Sequence, residues 1–126
     1  MKSSLVLIVA TVVLVGCGDQ EKDNALLDAT IDGDIEAVKE CFEKGANINA
    51  KNKDGRHPLH LAALMGYDVI AEFLIAKGSD VNSWDKNGKT ALDLAQGETA
   101  DFLIRHGGKT GTQLASEYRE KGLPFP

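Results

Sequence analysis

Apolar residues recur along this chain at a fixed spacing, and this pattern indicates an internal repeat. A single shift of the sequence superimposes Leu26 on Leu59 and Leu59 on Leu92. Small and polar residues follow the same shift, which pairs Ala29 with Ala62 and Ala95, Gly33 with Gly66, Gly45 with Gly78, and Asn49 with Asn82. A period of this length, about 33 residues, is typical of a solenoid, in which each copy buries its apolar surface only against its neighbours.

The central copy predicts two helices bounded by turns. Pro58 suits the first position of a helix, where no N–H donor is needed, and Gly66 is placed to end that helix. A second, bulkier apolar face follows the 3.6-residue period of a helix as far as Gly78, and its members are Val69, Ile70, Phe73 and Leu74. Tight turns are predicted on either side by two glycine dipeptides, Asp54-Gly55 and Asn87-Gly88.

The central copy resembles an ankyrin repeat. Residues 54–66 read DGRHPLHLAALMG, close to the family pattern D-G-x-T-P-L-H-x-A-A followed by G, and residues 78–82 read GSDVN, close to G-A-D-V-N. The resemblance covers roughly residues 24–108 and implies an all-α solenoid of stacked helix pairs with projecting β-hairpin loops. We expect an N-terminal capping repeat at 25–53, a central repeat at 54–86 and a shortened C-terminal repeat at 87–108.

The last copy departs from the period. Phe73 and Phe102 lie closer together in the sequence than the period requires, so four residues are missing near positions 96–98 and the first helix should be short. Residues 109–126 are predicted to form a C-terminal capping helix and tail. The helix should cover about 112–121, with Leu114 and Tyr118 on its inner face because they lie one turn apart.

His57 and His60 lie three residues apart, which is compatible with half of a metal site, a catalytic pair or a structural role. The resemblance favours structure: His60 should hydrogen-bond to an adjacent hairpin, and Gly66, Gly78 and Thr90 should hold the repeat geometry. His57 replaces a threonine of the family pattern, and its role there stays open because imidazole is a poorer helix cap. A metal needs three or four converging ligands. We therefore predict no catalytic residue, metal or cofactor, with a small metal-dependent hydrolase using His57 and His60 as the alternative.

The N-terminal residues have the features of a lipoprotein signal peptide. Lys2 precedes an apolar run at 5–15 that is too short to span a bilayer. The run ends in Leu-Val-Gly-Cys at 14–17, which resembles the bacterial lipobox. This resemblance implies removal of residues 1–16, a lipid on Cys17 and a linker over 17–24. We expect anchoring at the bacterial envelope, facing the periplasm, with the inner or outer membrane left open.

Composition narrows the function further. The chain has 14 basic and 19 acidic residues and a formal net charge of −5, which disfavours nucleic-acid binding. Cys41 occupies the position of Leu74 in the central copy, so we expect it in the core, and its reactivity stays open. We expect a monomer.

The candidate binding surface combines basic hairpin tips with apolar positions that the family directs toward its concave face. The predicted partner-binding residues are Lys53, Arg56, Leu64, Met65, Trp84, Lys86 and Lys89. They favour a protein partner with carboxylates around an apolar centre, scaffolded or sequestered without catalysis. The alternatives are that Leu64 and Met65 pack inward while the lysines only solvate the loops, or that the domain is a structural spacer.

Overall fold

A computed structural model describes residues 20–124, which contain helices and turns but no strand. The helices are α1 (20–32), α2 (Ile35–Glu43), α3 (Pro58–Met65), α4 (Asp68–Ala76), α5 (Ala91–Leu94), α6 (Gly97–Arg105) and α7 (Gly111–Lys121). Helix α3 packs against α4 of its own pair and against α5 of the next pair, while α4 also contacts α2 and α6. The predicted all-α stack of helix pairs is therefore confirmed.

The equivalent leucines of successive copies share one hydrophobic core. Leu26 and Leu59 are completely buried, and Leu92 packs against the same core with part of its surface exposed. Leu74 of α4 and Leu103 of α6 are also completely buried. Small residues such as Ala62 complete this core and allow neighbouring helices to approach closely. Burial of equivalent positions in adjacent layers is the packing that the sequence period requires.

The loops between pairs form two matching hairpins. The Asn52 N–H donates to the Arg56 carbonyl (2.9 Å) in one loop, and the Asp85 N–H donates to the Lys89 carbonyl (2.9 Å) in the next. We call residues 52–56 the central hairpin and residues 85–89 the third hairpin. Gly55 and Gly88 have φ of 73° and 74°, as the turn dipeptides predict. The hairpins project as tight turns rather than as strands.

The C-terminal end contains one very short helix and a longer terminal helix. Helix α5 has only four residues, and α7 starts at Gly111, with Thr110 and Gln113 forming a capping box. Leu114 is buried, and the Tyr118 ring lies 5.8 Å from the Trp84 ring between centroids. Helix α7 thus covers the last layer of the stack through its inner face.

The N-terminal boundary differs from the prediction. Residues 20–24, assigned to a linker, form part of α1 instead. The Asp23 carboxylate accepts a hydrogen bond from the Asn47 N–H (2.8 Å), which ties this turn to the loop after α2. The predicted signal peptide and Cys17 lie outside the described residues. No helix within residues 20–124 is long and apolar enough to cross a membrane.

Gly111 should tolerate no side chain, because a Cβ there would lie 2.0 Å from the Gly88 carbonyl oxygen. We expect Gly111→Ala to lower the free energy of unfolding by about 2 kcal/mol, the usual scale for overpacking. Urea denaturation of the variant measures this loss. Thr112→Ala, at an exposed position of the same helix, is the matched control and should stay within about 0.5 kcal/mol of wild type. Equal stability of the two variants would contradict the docking of α7 on the third hairpin.

Candidate functional site

His60 connects the central and third hairpins. Its side chain is fully buried, and its Nε2 lies 3.1 Å from the Lys89 carbonyl oxygen of the third hairpin. Its Nδ1 accepts a hydrogen bond from the His57 N–H (3.3 Å) at the start of α3. These two contacts together require the neutral imidazole with its proton on Nε2. Burial is the main reason that the pKa of His60 lies below its usual value.

His57 is buried without hydrogen bonds to its ring. Its side chain is 1% exposed, and neither ring nitrogen has a partner within residues 20–124. The two imidazole centroids are 4.3 Å apart. Burial, followed by repulsion from His60 and Lys51, lowers the pKa of His57 to about 3. His57 is therefore neutral, and its ring makes no hydrogen bond to residues 20–124, at a position where a capping hydroxyl is favoured.

The third repeat shows what that hydroxyl does. Thr90, which is equivalent to His57 in the next copy, caps α5 by accepting from the Asp93 N–H (3.4 Å), and its Oγ1 donates to the Lys109 carbonyl (2.6 Å). Asp93, which replaces His60, accepts from the Thr90 N–H (3.0 Å) and the Gly111 N–H (2.7 Å). This pair therefore ties α5 to α7 with every polar group satisfied.

The histidine pair is not arranged for chemistry. His60 uses both of its ring nitrogens inside the fold. The His57 ring nitrogens are unpaired but buried, so a metal or substrate in solvent does not reach them. Among residues 20–124, no three His, Cys, Asp or Glu side chains lie close enough together to hold a metal ion. This geometry argues against the hydrolase alternative.

Cys41 has the environment of a packing residue. It is partly buried, packs against the hydrophobic core and forms no disulfide. Burial raises the pKa of its thiol, an effect that Lys44 opposes and Glu40 reinforces. The protonated thiol is a weak nucleophile at neutral pH, so this site does not favour reactivity.

We call the first helix of each pair the inner helix and the second the outer helix. Two adjacent inner helices, α1 and α3, carry exposed apolar side chains. Ile31 of α1 and Leu64 of α3 are 44% and 46% exposed, and they occupy equivalent positions in successive copies. Met65 is 49% exposed next to Leu64. The alternative that Leu64 and Met65 pack inward is therefore wrong. We call Ile31, Leu64 and Met65 the apolar patch.

A groove runs between α1 and the central hairpin. Its volume is about 770 Å³, and Leu27 and Ile31 form its apolar part. Polar and charged groups surround them, namely Gln20, Asn24, Asp28, Lys51, Asn52, Lys53 and Asp54. Gln20, Asn24 and Asp28 are groove residues that the sequence did not single out. These three residues lie one helical turn apart and so share one face of α1. The sequence would have indicated this shared face if the helix had been predicted to begin at residue 20.

The hairpin lysines are available to a partner. Lys53, Lys86 and Lys89 are exposed, and none of their ammonium groups lies within ion-pair distance of a carboxylate of residues 20–124. They are positive groups at the tips of an otherwise acidic protein. This distribution suits a partner that presents carboxylates.

Arg56 forms an ion pair within the fold, so its guanidinium is not a free cation at the hairpin tip. Its Nε lies 3.1 Å from Oδ2 of Asp85, whose side chain is fully buried. Asp85 also accepts from the backbone N–H groups of Asn87 (2.8 Å) and Lys89 (2.9 Å). Burial alone would raise the pKa of Asp85, but these hydrogen bonds and Arg56 together lower it. Arg56 therefore joins the two hairpins, and its part in partner binding stays a prediction.

Trp84 is also more structural than predicted. Its indole is half-buried and lies against Tyr118 of α7, so much of its surface is covered by the cap. It borders two cavities of about 420 and 480 Å³ at this junction. Trp84 therefore helps to dock α7, and its part in partner binding stays a prediction.

The comparison with known families agrees with this architecture. A family model described as ankyrin repeats, three copies, matches residues 7–85 and again residues 26–113. The chain belongs to the ankyrin-repeat family.

Its curated relatives are longer proteins. Protein phosphatase 1 regulatory subunit 12A of Mus musculus is 44% identical over 101 residues, which cover 80% of this chain and 10% of that protein. Protein phosphatase 1 regulatory subunit 27 of the same species is 34% identical over 79 residues, covering 63% and 51%. An ankyrin repeat and LEM domain-containing protein 1 homolog of Caenorhabditis elegans is 36% identical over 85 residues, covering 68% and 12%. The chain spans about half or less of the length of these relatives.

Proposed function

We propose that this protein is a lipid-anchored ankyrin-repeat module that scaffolds or sequesters a protein partner at the bacterial envelope. The observation that carries the proposal is the exposed apolar patch, whose Ile31 lines the same groove as Lys53 of the central hairpin. Two relatives are named as regulatory subunits, which supports binding to another protein rather than catalysis.

The chemistry of the surface limits the partner. Covering the apolar patch removes apolar area from water, which contributes about 25 cal/mol per Å². Carboxylates on the partner would face Lys53, Lys86 and Lys89 at the rim, where charges mainly govern encounter rate and selectivity. The partner therefore presents apolar side chains framed by acidic residues.

The membrane anchor rests on the lipobox-like sequence before Cys17 and is tested by intact mass. Protein extracted from the envelope of the producing bacterium should lack residues 1–16 and carry the mass of two or three acyl chains on Cys17. More than one chain is needed for firm attachment, since each buried CH₂ contributes about 0.8 kcal/mol. Cys17→Ser should release the protein from the membrane. An unmodified chain that retains residues 1–16 would contradict the anchor without affecting the binding surface.

The binding surface is tested by truncating the apolar patch. We expect Leu64→Ala with Met65→Ala to reduce partner affinity about 10-fold or more, the scale of a binding hot spot. The measurement is quantitative recovery of crosslinked partner from intact cells, followed by titration with the identified protein. Val69→Ala is the control, because Val69 of α4 is also exposed but lies on an outer helix.

A structural spacer would tolerate charge reversal at the hairpin tips, whereas the proposed binding module would not. Lys53→Glu, Lys86→Glu and Lys89→Glu together should abolish recovery of an acidic partner while the unfolding midpoint stays near wild type. Unchanged recovery with this triple variant and with the Leu64→Ala, Met65→Ala variant would favour a spacer.

A further inference from the structure

Three contacts join the central hairpin and its helix to the third hairpin. The Lys86 N–H donates to the Asp54 carbonyl (2.9 Å), and Arg56 pairs with Asp85. The third contact is the hydrogen bond between His60 and the Lys89 carbonyl. The spacing of the hairpins, and of the lysines that they carry, depends on these contacts.

Only the histidine contact involves a group that titrates between pH 5 and 8 when unperturbed. A proton added to His60 Nδ1 would remove the acceptor of the His57 N–H, and the new N–H would face a buried donor. A proton added to His57 would place a cation 4.3 Å from the other ring with no hydrogen-bond acceptor. The third repeat makes the corresponding connection with Thr90 and Asp93, so the stack does not require imidazoles at these positions.

We propose that the His57–His60 pair is an acid-sensitive latch between the central and third hairpins. At neutral pH both rings are uncharged and hold the third hairpin in place. Both rings are buried and the His57 ring has no hydrogen-bond partner among residues 20–124, so a protonated pair is more stable where water reaches it. Acid therefore favours a form in which the third hairpin has separated from the central one and both imidazoles are hydrated. In the envelope module proposed above, on which this last step rests, release displaces Lys86 and Lys89 from Lys53 and weakens partner binding.

The charged groups around the pair set the direction of the effect. Lys51 faces His57 and Arg56 faces His60, and both disfavour a further positive charge. Asp85 of the third hairpin favours protonation of His60, as do the backbone groups of Lys89 and Ser83, but burial outweighs them. The closed form, in which His60 contacts the third hairpin, therefore binds protons less readily than the open form, in which the two hairpins are apart. Falling pH below about 6.5, the ordinary histidine pKa, shifts the population toward the open form.

Trp84 provides a local probe of this opening. It is the only tryptophan and immediately precedes the third hairpin, where it packs against Tyr118. The full chain is titrated from about pH 7.5 to 4 while tryptophan emission and far-ultraviolet circular dichroism are recorded together. We expect the emission to change at a pH about half a unit or more above the loss of helical signal, since a local opening precedes global unfolding.

Three variants identify the responsible groups. His57→Thr copies the third repeat, and His60→Gln copies Gln113, which accepts from the Thr110 N–H (2.8 Å) at the corresponding place in α7. Each should move the emission midpoint down by about half a pH unit or more. His106→Gln should leave it unchanged, because His106 is exposed and lies after the end of α6, away from both hairpins' histidine contacts.

Two results would overturn the latch. One is coincidence of the emission and circular dichroism transitions in wild type, which would mean ordinary acid unfolding. The other is an unchanged emission midpoint in both His57→Thr and His60→Gln. Neither readout needs a partner or a membrane, so failure of the latch is distinguishable from failure of the proposed function.

Discussion

Leu59→Ala is expected to lower the free energy of unfolding by about 3–4 kcal/mol, the middle of the usual range for a fully buried leucine. Leu59 is completely buried between layers, so truncation leaves a cavity at the point where α3 meets its neighbours. Small domains have only about 5–15 kcal/mol of stability in total. The variant should therefore show a large fall in its urea unfolding midpoint.

Leu64→Ala is the matched control for Leu59→Ala. It makes the same chemical change in the same helix, but Leu64 is 46% exposed, so the loss should stay below about 1 kcal/mol. Similar losses for the two variants would contradict the assignment of Leu59 to the core and Leu64 to the binding face. The pair thus separates packing from recognition within one helix.

His57→Thr is expected to have the opposite sign and to stabilise the domain by about 1–3 kcal/mol at neutral pH. An unpartnered buried polar group typically costs about 1–3 kcal/mol, and an added helix cap contributes about 0.5–2 kcal/mol. The smaller side chain leaves some space unfilled, which offsets part of this gain. Urea denaturation at pH 7.5 measures the difference, and a destabilised variant would show that the imidazole packs better than its missing hydrogen bonds suggest.

The stabilisation should grow in acid. The pKa of His57 is lowered to about 3 in the fold, from an unfolded value of about 6.5, so the unfolded chain binds the proton first. Wild-type stability therefore falls as the pH drops through this window, by up to about 1.4 kcal/mol per unit. At pH 4.5 the advantage of His57→Thr should be about 2–3 kcal/mol larger than at pH 7.5. An advantage that does not change with pH would contradict the lowered pKa of His57.

The stack was predictable because its determinants are local and repeated. Pro58, Gly66 and Gly78 act within their own turns, and the leucines recur at the period of the layers. The short α5 followed from a count of residues, and the cap followed from one amphipathic segment. Resemblance to the family placed His60 between hairpins, where its contact to Lys89 is found.

The contacts that the sequence did not predict join residues far apart in the chain. Arg56 looked like a free cation because Asp85, its partner, lies 29 residues further along the chain. Trp84 looked exposed because Tyr118 covers it only after α7 docks. Residues 20–24 looked like a linker because they lack an apolar period, and the bond from Asn47 to Asp23 is tertiary. None of these pairings can be predicted from a local sequence pattern.

The most direct test of the account is site-specific photo-crosslinking in living cells of the producing bacterium. A photoreactive amino acid replaces Leu64 in one strain and Val69 in another, since both side chains are exposed but lie on inner and outer helices respectively. We expect a discrete protein adduct from position 64, lost when Lys53, Lys86 and Lys89 are changed to glutamate, and none from position 69. Equal adducts from both positions, or adducts only from position 69, would contradict binding through the concave face.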